Sequence, residues 1–131
     1  MAGYSATPLQ KKLGITERSR IVIEDLPDDV DLEIPVGASV LTSGRGATDV
    51  IVAFFLERTR LEQRGAALGE RIRPDGGLWI AWPKRTSKVP TDLTDDVVRS
   101  VLLPIGLVDT KVCAIDDTWT GLRFVWRRAL R

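Results

Sequence analysis

Hydrophobic positions in this chain recur with two different periods, and each change of period marks a predicted element. Thr7 and Pro8 supply a helix cap and first-turn pair, Leu9 and Leu13 lie four apart, and Gly14 sits where a helix ends. A short helix over 8–13 is predicted. Arg20-Ile21-Val22-Ile23-Glu24 is a β-branched run of strand length, and Asp25, Pro27, Asp28, Asp29 and Asp31 follow it as an acidic loop. A weaker strand is expected over 38–42, with Ser43-Gly44-Arg45-Gly46 as its turn. The run 49–55, Asp-Val-Ile-Val-Ala-Phe-Phe, is apolar without alternation, as in a central parallel strand covered on both faces. Val50, Val52 and Phe54 should then face one helical layer, and Ile51, Ala53 and Phe55 the other.

Over 57–73 the period becomes helical. Leu61, Gly65, Leu68 and Ile72 share a face, while Arg58, Glu62, Arg64 and Arg71 point elsewhere. Pro74-Asp75-Gly76-Gly77 stops that helix and turns the chain into an apolar strand over 78–82. Thr94-Asp95-Asp96 opens another helix with a hydroxyl cap and two carboxylates, and Val97, Val98, Val101 and Leu102 form its apolar face. Pro104 and Gly106 end it. Strand-like runs at 111–116 and 122–128, joined by 117–121, complete the order. Strand, helix, strand, helix and hairpin make one α/β domain over residues 1–131. Its sheet should have five or six strands, mainly parallel, with a C-terminal antiparallel hairpin.

Composition narrows the chemistry more than the fold. The 131 residues suit one domain at roughly 150 residues each, and 44% apolar with 28% charged residues is an ordinary globular balance. Nineteen basic residues against eighteen acidic leave a net charge of +1, so no global field invites nucleic acid or a membrane surface. The sequence has no histidine, which removes the commonest general base and the commonest zinc ligand. One cysteine, Cys113, precludes an internal disulfide, and no N-terminal apolar leader or membrane-length run is present. The expectation is a cytoplasmic protein that neither spans a membrane nor binds nucleic acid.

Ile72-Arg73-Pro74-Asp75-Gly76-Gly77-Leu78-Trp79-Ile80, set in this element order, resembles the second half of the Rossmann-like methyltransferases that use S-adenosylmethionine. There a helix ends in a Pro-Gly-Gly-like turn, enters a strand, and the sheet closes with an antiparallel hairpin. The resemblance covers about 48–128 and implies a Rossmann-like three-layer sandwich. The first half departs from that family. Its glycine-rich loop should follow the first strand, yet Glu24 runs into Asp25-Leu26-Pro27-Asp28-Asp29, and no glycine comes before Gly37. Residues 25–48 also leave too little chain for two intervening strand-helix units. No cofactor is therefore expected. Over the whole length, Ala2-Gly3-Tyr4-Ser5, Trp82-Pro83-Lys84-Arg85, Thr91-Asp92-Leu93-Thr94, Lys111-Val112-Cys113-Ala114 and Thr118-Trp119-Thr120-Gly121-Leu122-Arg123 resemble a bacterial family of small uncharacterised proteins, a domain of unknown function. That resemblance implies kinship and no activity.

The richest candidate site is Lys84-Arg85-Thr86-Ser87-Lys88 followed by Thr91, Asp92 and Thr94. Such a loop, leaving a strand and entering a helix, offers cations, hydroxyls and helix N–H groups to an anion. The bland alternative is a solvated basic loop whose hydroxyls cap a helix. The leading expectation is a non-catalytic or vestigial methyltransferase-like domain that binds a small anionic ligand or a protein partner there, with no catalytic residues. A competing expectation is a transferase acting on a phosphorylated or nucleotide substrate through Lys84, Lys88 and Asp92. A third is a homo-oligomer without a small ligand, using an exposed Trp119 in the hairpin as interface or lid. Asp25, Asp28, Asp29 and Asp31 read as a solvated loop rather than a metal site, and Asp116 and Asp117 as turn formers. Cys113 reads as a buried thiol, and Arg123, Arg127, Arg128 and Arg131 as a solvated edge.

Overall fold

The computed structural model describes residues 7–41, 47–72 and 74–131. The expected turn at Ser43-Gly44-Arg45-Gly46, the strand end at Thr42, the helix end at Arg73 and the segment Ala2-Gly3-Tyr4-Ser5 lie outside the described residues. In chain order the elements are α1 (Leu9–Lys12), β1 (Arg20–Glu24), β2 (Ser39–Leu41), β3 (Val50–Phe54), α2 (Arg58–Arg71), β4 (Gly77–Pro83), α3 (Asp95–Leu102), β5 (Leu107–Ala114) and β6 (Trp119–Trp126). Short 3-10 turns occur at Arg85–Ser87, Leu103–Ile105 and Arg128–Leu130.

The described strands form a six-stranded sheet in the order β2-β1-β3-β4-β6-β5. β2, β1, β3 and β4 run parallel, and β6 is antiparallel to both β4 and β5. The fold is α/β and Rossmann-like, with its antiparallel strands at the C-terminal end of the chain. Every residue of β3 and of β4 is buried, which explains their unbroken apolar runs.

Residue parity divides the core as the sequence predicts. Ile51, Ala53 and Phe55 join Leu78, Ile80 and Trp82 beneath α2 and α3. Val50, Val52 and Phe54 join Trp79 and Ala81 on the opposite face. That second face has no long helix. Leu9 and Leu13 of α1, then Ile15, Val30 and Leu32 from irregular chain, cover it. The expected second helical layer is therefore thin, because residues 25–38 carry Pro27 and Pro35 among acidic residues and cannot propagate a helix.

Two buried indoles bind these layers to the sheet. Trp79 Nε1 donates to the Leu13 carbonyl at 2.9 Å, and Trp126 Nε1 donates to the Gly69 carbonyl at 2.7 Å. Gly69 lets α2 approach, since a Cβ there would lie 3.1 Å from the Trp126 ring. The turn into β4 needs Gly76 for a similar reason: a Cβ would sit 2.6 Å from the Thr48 carbonyl oxygen.

The hairpin strands begin earlier than their sequence pattern predicts. Gly106, at φ 113°, reverses the chain, so β5 starts at Leu107 rather than 111. Asp116 Oδ1 accepts from Thr118 N and Trp119 N, both at 2.8 Å, closing a tight turn. β6 consequently starts at Trp119 rather than 122. The Trp119 ring is 8% exposed and meets Phe54 edge to face, with centroids 5.2 Å apart.

Phe54 is 3% exposed and packed against that indole, so Phe54→Ala should cost about 3–5 kcal/mol in reversible urea denaturation. A loss under about 1 kcal/mol would show that β3 is not a central strand.

Candidate functional site

β4 ends where it outruns its parallel neighbour. Its last register pair with β3 is Phe54↔Ala81, whereas its pairing with β6 continues through Trp82↔Thr120 and Pro83↔Trp119. Lys84 N then donates to the Thr118 carbonyl at 2.7 Å, and the chain rolls into the 3-10 turn Arg85–Ser87. Lys88 closes that turn in the left-handed region, at φ 65°. Between this loop, the start of α3 and the edge of the hairpin lies a cavity of about 670 Å³. Trp82 and Leu93 contribute buried apolar surface to it, and Val112 stands at its β5 side.

The sequence-predicted residues divide between lining and scaffolding. Lys84, Arg85, Lys88, Thr91 and Thr94 line the cavity, whereas Ser87 and Asp92 do not. Ser87 Oγ donates to the Lys84 carbonyl at 2.7 Å and accepts from Val89 N at 3.2 Å, which shapes the loop. Asp92 Oδ1 accepts from Arg58 N at 2.8 Å, satisfying a free N–H at the start of α2. Asp92 is thus engaged by the start of α2 and is not among the residues that line the cavity with Lys84 and Lys88. Thr91 Oγ1 donates to the Leu56 carbonyl at 2.6 Å and accepts from Leu93 N at 3.1 Å. Thr94 caps α3, accepting from Val97 N at 3.2 Å.

Electrostatically the lining is lopsided. Lys84, Arg85 and Lys88 form no ion pair among the described residues. The one lining carboxylate, Asp95, is engaged by Arg99 at 3.4 Å and accepts from Asp96 N. Arg99 in turn bonds Asp109 at 3.1 Å. That bond, with Asp95 and Asp96 close by, holds the guanidinium protonated above its ordinary range against the opposing effect of burial. The acidic start of α3 is thus spoken for, and the loop cations are not.

Pattern reasoning missed several lining residues, among them Trp82, Pro90, Leu93, Val112 and Thr120. Only the β4–β6 and β5–β6 registers bring Val112 and Thr120 to this place, and no local motif encodes that pairing. Trp119, expected as an exposed interface or lid, is instead a buried strand residue. Cys113 is buried, and burial pushes its thiol above the ordinary range while Lys12 and Lys111 pull the other way. Among the described residues no three acidic or cysteine side chains converge in a metal-binding group, and Asp31 accepts from Glu33 N at 2.8 Å in a local turn. No helix among them is long and apolar enough to cross a membrane.

A second crevice lies at the topological switch point, beyond the carboxyl ends of β1 and β3, where open α/β sheets commonly hold ligands. About 460 Å³ in volume, it is lined by Asp25, Pro27, Phe54, Phe55, Leu56, Glu57, Arg60 and Trp119.

Comparison with known proteins identifies the fold. No family model matches the chain, and no curated protein matches it by sequence. Solved structures do match. Magnesium protoporphyrin IX methyltransferase from Synechocystis PCC 6803 with bound S-adenosylhomocysteine aligns over 69% of this chain and 51% of its own, at 10% identity and a TM-score of 0.52. The same enzyme with bound S-adenosylmethionine aligns over 69% and 46%, at 10% identity and a TM-score of 0.53. A fibrillarin pre-rRNA processing protein from Methanococcus jannaschii aligns over 95% and 70%, at 13% identity and a TM-score of 0.47. The chain spans about half the length of the methyltransferase. What it shares is a methyltransferase-like fold.

The residues at the switch point do not fit that cofactor. β1 is followed by β2 with no helix between them, and Asp25, at φ 56°, and Pro27 occupy the position of a glycine turn. Titration calorimetry with S-adenosylmethionine should give no saturable heat at micromolar ligand. Saturable binding that S-adenosylhomocysteine displaces would reverse this conclusion.

The division between scaffolding and free side chains has its own test. Thr94→Ala should lower stability by about 1 kcal/mol through its lost cap. Lys84→Ala combined with Lys88→Ala should leave the melting temperature nearly unchanged, because neither cation forms an ion pair among the described residues. A melting loss in the double variant that exceeds the Thr94 effect would make the lysines structural.

Proposed function

We propose that this chain is a non-catalytic methyltransferase-like domain that holds a small anionic ligand in the groove between the β4 loop and α3. The observation that carries this reading is that Lys84, Arg85 and Lys88 line one cavity with no carboxylate partner among the described residues. Loop cations in a fold of nearly balanced charge are ordinarily neutralised by neighbours or spread into solvent. Here they line a concave surface with apolar walls, where an arriving anion would be partly dehydrated and more strongly attracted.

Lys88 adds support. Its left-handed backbone would suit glycine, and a side chain there costs roughly 1 kcal/mol. Retaining a cation at a position whose backbone favours glycine fits a role for that cation. Asp92 favours binding over catalysis, since the carboxylate that a transferase reading requires is held toward Arg58 N and does not line the groove.

The test is thermal melting with inorganic phosphate and simple phosphate esters at low salt, where screening is least. The parent should melt higher with ligand, and the Lys84→Ala, Lys88→Ala double variant should lose that shift. Both residues keep a Cβ, so the left-handed cost at 88 cancels in the comparison. A full ligand response in the double variant would place the site elsewhere.

A further inference from the structure

Resting on that anion-binding reading, we infer that the ligand is an organic anion with an apolar body, such as a phosphate monoester of an aromatic or aliphatic group, rather than a sugar phosphate or nucleotide. The inference follows from the apolar wall that shares the groove with the cations, and from the hydroxyls near it that the fold already uses. Thr91 Oγ1 both donates, to Leu56 O, and accepts, from Leu93 N. Ser87 Oγ does the same with Lys84 O and Val89 N. Thr94 Oγ1 is held by Val97 N, Asp95 by Arg99 and Asp96 N, and Asp92 by Arg58 N. Beyond the three cations, the lining side chains that retain hydrogen-bonding capacity are the Trp82 indole N–H, the outward acceptor sites of Asp95, Thr120 and the hydroxyl hydrogen of Thr94.

A ribose brings several hydroxyls, and each one laid against Leu93, Val89, Pro90 or Val112 rather than against those few polar groups costs free energy. Adenine would bring ring nitrogens and an amino group with the same difficulty. The remaining wall is made for something else. Trp82 and Leu93 are buried beneath it, Val89 and Pro90 flank it, and Val112 at the β5 edge is 65% exposed. One exposed valine is unremarkable on any surface. This one lines the same groove as the buried indole of Trp82 and the three loop cations. The juxtaposition is amphipathic: charge and apolar surface share one groove. A ligand of matching polarity would cover Val112 and place its anionic end among Lys84, Arg85 and Lys88.

Titration calorimetry on the full chain at low salt with three probes tests this. Inorganic phosphate supplies the anion alone, ribose 5-phosphate adds a polyhydroxylated body, and phenyl phosphate adds an apolar ring. Phenyl phosphate should bind about tenfold tighter than inorganic phosphate, while ribose 5-phosphate gains no more than about threefold. Val112→Thr, nearly isosteric and at an exposed strand position, should weaken phenyl phosphate roughly threefold and leave inorganic phosphate unchanged. Ribose 5-phosphate binding as tightly as phenyl phosphate would overturn the inference while leaving an anion site standing. So would phenyl phosphate binding that is indifferent to Val112→Thr. If none of the three probes binds, the anion-binding reading fails and this inference with it.

Discussion

The rest of the structure depends on the burial of β4. From Gly77 to Pro83 every residue of it is buried, so both faces must be covered and, up to Ala81, both edges are paired. The chain meets these demands with unequal means. On one face α2 and α3 supply Leu61, Leu68, Val98 and Leu102, and Trp126 ties α2 down through the Gly69 carbonyl. On the other face the cover is one turn of helix and a stretch of irregular chain. There Trp79 itself reaches out to the Leu13 carbonyl. A buried indole N–H needs an acceptor, so this bond locates α1 as well as satisfying the ring.

That asymmetry decides where a ligand can go. A doubly wound sheet ordinarily uses the helix after its first strand to present backbone donors at the switch point. This chain has no such helix, because the segment after Glu24 is spent on covering the sheet with Val30 and Leu32. The carboxyl end of β4 is the other place where chain leaves the sheet with room around it. It has that room because β4 continues past β3 and stays paired only to β6. The loop that follows holds its shape through Ser87, Thr91, Asp92 and Thr94 rather than through its charges, so its cations are available to something outside the chain.

The element order, the two-sided burial of β3 and the partition of its side chains were legible because they rest on local patterns: apolar runs, helical spacing and a glycine turn. The Lys84–Lys88 loop was legible for the same reason, as a cationic segment between a strand and a capped helix. What local patterns do not carry is long-range register. Trp119 looks like a loop residue until Asp116 closes the turn three residues earlier, and then it is the first residue of a strand against Phe54. Val112 and Thr120 belong to the groove only through pairing across the hairpin and with β4. Asp92 reads as a site carboxylate beside Lys88, yet its partner is a backbone N–H far back in the chain, at the start of α2. In each case a tertiary contact reassigned a residue whose local signal was sound.

The near-neutral net charge bears on how such a groove would work. With nineteen basic and eighteen acidic residues there is no field to draw an anion from a distance, and at physiological salt attraction fades within about 8 Å. Encounter is then unsteered, and affinity has to arise in contact. Three exposed cations in bulk water would supply little of it. Beside Trp82, Leu93 and Val112 the same cations act where water is partly excluded, and each interaction strengthens as the local dielectric falls. The apolar wall and the cationic lip are therefore not two binding features added together. In the proposed site the wall would make the cations effective.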